Sequence, residues 1–276
     1  MKVFHYSDIG SRTNNEDYIS FSDFAFVLCD GVGGIDFGEI ASKIVCETFI
    51  KEINCYNPGE LTVSLINKVI TKVQIELNKL ATERPELKGI GTTFCAVVFS
   101  DDKLFCAHAG DSRIYIIDTI EEKYWRTTDH SLSTELINSG ILKESNSRNH
   151  PFTNQLTRAF QANPDSEFTL CDIQQFNNID SGKLIFICSD GVNEVYSDLD
   201  LMNILCSKNL TAENKFSIIQ DNCKNHSKDN NSAILIQPET VLNTIEAQTE
   251  NENLWFYPNK NINKNERNIK KWWKLF

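Results

Sequence analysis

Residues 24–34 read Phe-Ala-Phe-Val-Leu-Cys-Asp-Gly-Val-Gly-Gly. The run from Phe24 to Cys29 is short, apolar and rich in aromatic and branched side chains, the signature of a strand. Asp30 ends it. A helical stripe follows from Glu39, where Ile40, Ile44, Val45, Phe49 and Ile53 recur at helical spacing. A carboxylate at a strand end is held rigidly, and neighbouring glycines let backbone carbonyls approach a ligand closely. The turn lacks the Lys-Ser/Thr of a P-loop and the G-x-G-x-x-G dinucleotide fingerprint.

Outward from this stretch, a second helix is expected over residues 60–83, set off by Pro58-Gly59 and stopped by Pro85. Further strands are expected at 92–99, 103–107, 113–117, 167–173, 183–188 and 233–236, with Asp101-Asp102 as a two-residue hairpin link. Strands and helices come in separate runs without βαβ alternation. That order points to an α+β fold of antiparallel sheets with helices packed outside. Residues 130–165 are polar and weakly patterned, apart from a short helical piece near Leu132–Ile137. Residues 1–240 read as the folded domain and 241–276 as a flexible extension, first rich in Asn and Glu, then in Lys.

The chain has 276 residues, enough for a substantial core, and an ordinary globular balance of 41% hydrophobic and 24% charged residues. Its 38 acidic against 27 basic residues argue against a general nucleic-acid binder. The nine cysteines form no C-x-x-C pair, so free thiols in a reducing compartment fit better than zinc or disulfides. With no signal-peptide pattern and no apolar run of membrane-spanning length, the expected location is cytoplasmic. Residues 260–276 carry six Lys or Arg against one Glu and end Lys-Lys-Trp-Trp-Lys-Leu-Phe. Such a tail suits weak docking to a partner or an anionic membrane surface.

Acidic turns recur. Asn15-Glu16-Asp17 precedes a strand, Gly110-Asp111-Ser112 links two strands, Ser189-Asp190-Gly191 follows one, and Asp229-Asn230 precedes another. If these strand ends converge, several carboxylates meet with no matching number of Lys or Arg nearby in sequence. Such crowding is unfavourable unless cations neutralise it, and oxygen-only ligands select Mg²⁺ or Mn²⁺ rather than zinc.

In this order the motifs resemble the metal-dependent Ser/Thr protein phosphatases of the PPM, or type-2C, family in its compact bacterial form. They are residues 8–17 (Asp-Ile-Gly-Ser-Arg-Thr-Asn-Asn-Glu-Asp), Asp30-Gly-Val-Gly-Gly34 with Gly38-Glu-Ile-Ala-Ser42, Gly91-Thr-Thr93, residues 107–115, Thr128-Asp-His-Ser131, Leu156-Thr-Arg-Ala159, Cys188-Ser-Asp-Gly191 and Asp229-Asn230. The resemblance implies a four-layer αββα sandwich. It implies hydrolysis of phosphoserine and phosphothreonine by a hydroxide held between two Mn²⁺ or Mg²⁺ ions, without a phosphoenzyme. Asp30 would bridge the ions, and the Gly31 carbonyl would bind one of them. Asp190 and Asp229 would complete the first site, while Glu16 and Asp17 would support the second through water. Arg12 would grip the phosphate. Asp111 and Asp190, with Glu194, would hold a third, weaker ion, and residues 130–165 would form a flap beside the site.

The implied partners are phosphoproteins, including a Ser/Thr kinase, and the implied form is a monomer. Val32 stands where many relatives place a His proposed as general acid. Gln161 and Asn231-Ser232 also depart from the family pattern. His108 and His130 read as structural, and no cysteine has the Arg six residues on that a cysteine-dependent phosphatase needs. The competing reading is a catalytically silent phosphatase-like module that binds or regulates.

Overall fold

The protein is described from a computed structural model covering residues 1–32, 37–101, 103–143, 155–177, 179–239 and 255–258. Among these residues the elements run β1 (Lys2–Asp8), β2 (Asp17–Phe21), β3 (Ala25–Val32), α1 (Gly38–Ile53), α2 (Val63–Glu83), β4 (Gly91–Thr92), β5 (Phe94–Phe99), β6 (Lys103–Ala109), β7 (Arg113–Asp118), β8 (Lys123–Arg126), α3 (Leu132–Asn138), β9 (Phe160–Gln161), β10 (Asp172–Asn177), β11 (Lys183–Cys188), α4 (Asp190–Val195), α5 (Asp198–Leu205), α6 (Ala212–His226) and β12 (Asn231–Gln237).

Two antiparallel sheets result. One has the order β1-β12-β11-β7-β8, and the other β10-β6-β5-β3-β4-β9, with β2 also paired to β3. Strand alternation divides the core into three seams. In β3, Ala25, Val27 and Cys29 face α1 and α2, whereas Phe26 and Leu28 face the opposite sheet. In β11, Leu184, Phe186 and Cys188 face α4–α6, whereas Ile185 and Ile187 face inward. Burial on both faces explains why these strands read as continuous apolar runs. The layers are helix, sheet, sheet, helix, the α+β sandwich expected from the sequence.

Several elements lie outside the sequence expectations, β1, β8 and the helices α4–α6 among them. The strand expected over residues 167–173 forms instead at Asp172–Asn177, where pairing of Asp172 with His108 and Asn177 with Lys103 sets the register. Pairing to β6 wins over the apolar composition of residues 168–171. Gly33, Gly34, Asp102, residues 144–154 of the expected flap and residues 260–276 of the basic tail lie outside the described residues.

Topology brings the acidic turns to one end of the sandwich. The C-terminus of β11 pairs with the N-terminal half of β12 (Cys188 with Ala233), and β1 ends beside it (Asp8 with Asn231). In the other sheet Asp17 pairs with Asp30. Antiparallel pairing therefore places Asp17, Asp30, Asp190 and Asp229 around one opening, although up to about two hundred residues separate them in sequence.

Part of the extension lies against the body. Phe256 and Tyr124 exchange backbone hydrogen bonds of 2.7 and 3.0 Å, and their rings stack at 5.2 Å. Trp255 is 7% exposed, packs into the seam between the sheets and carries Lys123 Nζ 4.9 Å above its ring. The segment covers the edge strand β8, an edge that would otherwise present unpaired backbone groups. In the full-length chain, Trp255→Ala is expected to lower stability by about 3 kcal/mol. Phe256→Pro should do so by deleting the donor to Tyr124. Urea unfolding measures both, and midpoints unchanged from wild type would mean the segment contributes no anchoring.

Candidate active site

The opening at the end of the sandwich is a cleft of about 1080 Å³. Arg12, Glu16, Asp30, Gly31, Asp111, Asp190 and Asp229 line it, together with Glu39 and Arg158. Asp17 and Glu194 stand behind this lining. Seven of the nine residues singled out from the sequence thus meet in one cleft, and the other two hold its walls.

Asp30 is fixed from three sides. Its N–H donates to Thr93 Oγ1 (2.9 Å), and its carbonyl accepts from Thr93 N–H (2.8 Å) and Thr92 Oγ1 (2.9 Å). Gly31 is required by a close approach, because a Cβ there would lie 2.5 Å from the Gly38 carbonyl carbon at the start of α1. The Gly31 N–H donates to the Glu16 carbonyl (3.0 Å), and the Glu16 N–H donates to Asn230 Oδ1 (2.9 Å). Asn230 also donates to the Ile9 and Asn14 carbonyls, tying the loop after β1 to the loop before β12. Asp17 is buried. One of its oxygens accepts from Ser189 Oγ at 2.7 Å, and Oδ1 has no partner.

Arg12 reaches across to Asp229, Nη2 to Oδ2 at 2.7 Å, while remaining largely exposed at the rim. Glu194 Oε2 accepts from Ser227 Oγ (3.2 Å), Lys228 N–H (2.9 Å) and Asp229 N–H (3.3 Å). It braces the loop that presents Asp229. Thr92, Thr93, Ser189, Asn230 and Glu39 are site residues that sequence reasoning passes over. All five lie within quoted motifs, Gly91-Thr-Thr93, Cys188-Ser-Asp-Gly191, Asp229-Asn230 and Gly38-Glu-Ile-Ala-Ser42, although none is assigned a role from the sequence.

The electrostatics are those of crowded anions. Burial, then the charges of Asp17, Asp190, Asp111 and Asp229, holds the Asp30 carboxyl well above the usual range. Burial raises Asp17 to about 7, with Asp190 and Asp229 adding to the effect. Burial, followed by Asp190, raises Asp111 to about 8, and burial, followed by Asp229, raises Asp190 to about 6. Glu16 is raised by burial and by Glu39. Such groups must either hold protons or share cations. The orphaned Asp17 oxygen and an all-oxygen donor set fit hard divalent ions, Mg²⁺ or Mn²⁺.

A raised carboxyl pKa means that the folded state binds more protons than the unfolded chain. Stability then falls as pH rises from about 4, the unfolded value, through the raised values. Thermal unfolding in chelator is expected to show falling stability from pH 4 to 8, and added Mn²⁺ should restore stability most at the alkaline end. A profile in chelator that rises over this window would contradict the carboxylate crowding.

Comparison with known proteins agrees with this architecture. The profile of the family described as Protein phosphatase 2C matches residues 6–230. A relative named serine/threonine phosphatase stp, from Listeria innocua, is 27% identical over 236 residues, covering 84% of this chain and 90% of that protein. The crystal structure of a bacterial serine phosphatase superposes with a TM-score of 0.76 at 26% identity, covering 87% of this chain and all of the other. The catalytic domain of the phosphatase PstP, crystallised with two manganese ions, shares the fold with a TM-score of 0.71 at 22% identity, covering 85% of this chain and 96% of that one. With the family profile spanning most of the chain and the same layered fold around the acidic cleft, the chain belongs to the protein phosphatase 2C family.

Proposed function

We propose that the chain is a metal-dependent protein phosphatase acting on phosphoserine and phosphothreonine, with residues 1–240 as the catalytic unit. The observation that carries this reading is the convergence of Asp30, Asp111, Asp190 and Asp229 on one cleft with an arginine at its rim. The names of the relatives support the reaction class, and the two manganese ions of the PstP domain support a dinuclear centre.

Asp30, the Gly31 carbonyl, Asp190 and Asp229 would hold the first ion, with Asp30 shared. Glu16 and Asp17 would support the second. Asp111 and Asp190, with Glu194, would hold a third, weaker ion, and Glu194 also braces the Asp229 loop. When bound, the ions supply Lewis acidity and an activated water for attack on phosphorus. The chain supplies the rest. Arg12 exchanges its partner Asp229 for the substrate phosphate, for which its planar fork is suited. Thr92 and Thr93 keep Asp30 from turning away.

Phosphoproteins, a Ser/Thr kinase among them, are the proposed partners, and the proposed form is a monomer. Among the described residues no helix is long and apolar enough to cross a membrane. The free cysteines suit the reducing cytoplasm, the proposed location. The basic aromatic tail, residues 260–276, gives weak docking to a partner or an anionic surface.

Hydrolysis of p-nitrophenyl phosphate and of phosphopeptides is expected to require Mn²⁺ or Mg²⁺ and to stop in EDTA. Asp30→Ala and Asp190→Ala should abolish it with the fold retained by circular dichroism. Arg12→Ala should cost about 10- to 100-fold in kcat/KM, the worth of a charge-assisted hydrogen bond. Full activity in the aspartate variants would overturn the reading. Stoichiometric Mn²⁺ binding without turnover in the wild type would identify a silent relative instead.

A further inference from the structure

His108, His130 and Asp172 bring three ligand atoms within 4.8 Å of one another, outside the acidic cleft. A divalent ion could use that spacing, but the His130 lone pair is committed elsewhere. His108 Nε2 faces the Thr128 carbonyl at 2.9 Å and therefore carries its proton. His130 Nδ1 accepts from the Gly110 N–H at 3.1 Å, so His130 Nε2 bears the proton and donates to Asp172 Oδ2 at 3.0 Å. A metal on His130 Nε2 would set a protonated Nδ1 against the Gly110 N–H, donor against donor. The cluster is a hydrogen-bonded relay.

Its two ends reach two residues that line the cleft, Asp111 and Arg158. At one end Gly110 precedes Asp111. Its φ of +114°, and the 2.7 Å that would separate a Cβ at this position from Thr93, leave room only for glycine, the residue with the most backbone freedom, and His130 grips its peptide. The grip is double, because the His130 N–H also donates to the Gly110 carbonyl at 2.9 Å. At the other end Asp172 accepts from Arg158 Nη1 at 2.7 Å, and Arg158 lines the cleft. The chain beside Arg158 hangs from the same residue, since the Thr157 N–H donates to the His130 carbonyl at 2.9 Å. His108 stacks on His130 with centroids 4.4 Å apart and planes 12° from parallel, which fixes the imidazole orientation. The hydrogen bond from His130 leads the causes that hold the Asp172 carboxyl well below its ordinary value, so Asp172 stays anionic toward Arg158.

We propose that His130 is a positioning residue with two separable arms: Nδ1 sets the Asp111 turn, and Nε2, through Asp172, sets Arg158 as a contact for the phosphopeptide substrate. This rests on the phosphatase reading of the cleft. An asparagine at 130 offers an acceptor near the place of Nδ1 and does not reach Asp172. A glutamine offers a donor near the place of Nε2 and lacks the acceptor for Gly110.

The full-length His130→Asn and His130→Gln variants are compared with wild type by steady-state kinetics on a phosphothreonine peptide. Mn²⁺ titration calorimetry and thermal unfolding accompany the kinetics. His130→Asn should raise KM for the peptide about tenfold with kcat within about twofold, the worth of one charge-assisted hydrogen bond. His130→Gln should instead lower kcat and weaken the loosest Mn²⁺ step, with KM little changed. Asp172→Asn should reproduce the His130→Asn pattern, because it acts on the same arm. Two variants that alter kcat and KM alike, or that both match wild type, would overturn the proposal. If thermal unfolding shows that the histidine variants have lost their fold, Asp172→Asn decides: a change in kcat rather than KM overturns it. A wild type that binds Mn²⁺ but turns over no phosphoester would fail the phosphatase reading itself, a result distinct from any of these.

Discussion

The mutual repulsion of Asp17, Asp30, Asp111 and Asp190 is the constraint around which the molecule is built. Asp17 is buried and the other three are half-buried at the cleft, and desolvation is the largest cause raising each carboxyl. No flexible chain would gather them, because desolvation and like charge both oppose it. The two apolar sheets supply the compensating force. Their seams fix the strand ends, and the strand ends carry the carboxylates into the opening. The hydrogen bonds of Thr92, Thr93, Ser189 and Asn230 then hold each acidic turn in place. The cleft is thus a strained anionic site set in a rigid apolar frame, poised to gain stability from cations.

Much of the frame is legible in the sequence because burial on both faces leaves a continuous apolar run. β3, β5 and β11 are of this kind, and their boundaries fall close to expectation. α1 and α2 are legible because each presents a clean stripe. α6 is not, since its buried face includes Lys215, which sends Nζ to the Leu205 carbonyl at 2.7 Å and so meets its polar need inside the protein. β10 escapes for another reason: Gln174 and Gln175 sit on an edge strand whose position follows pairing rather than composition. At the site, acidic turns are visible as motifs, whereas their supports are ordinary Thr, Ser and Asn residues. The Asp229-Asn230 motif marks Asn230, but nothing in the sequence shows that its side chain makes three hydrogen bonds across two loops.

Glu194 shows how a residue type can suggest one role and geometry another. An acidic side chain next to Asp190 invites a reading as an ion ligand. Its Oε2 also gathers three donors of the 227–229 turn. The charge still acts on the site, since Glu194 contributes to raising Asp190. A carboxylate can therefore shape an acidic cleft by holding a neighbour in place as well as by its own charge.

The pairing of β1 with β12 has a consequence for how the chain is made. The first strand of the protein finds its partner only at residues 231–237, the last strand of the body. The sheet containing β2, β3, β5 and β6 closes largely within the first hundred or so residues, so it can organise early during synthesis. At about 5–20 residues per second, β1 waits on the order of tens of seconds before β12 emerges. Through that interval its edge is open to wrong partners. The polar Lys2 and His5 that bracket Val3 and Phe4 break an otherwise adhesive strand and are well suited to such a wait.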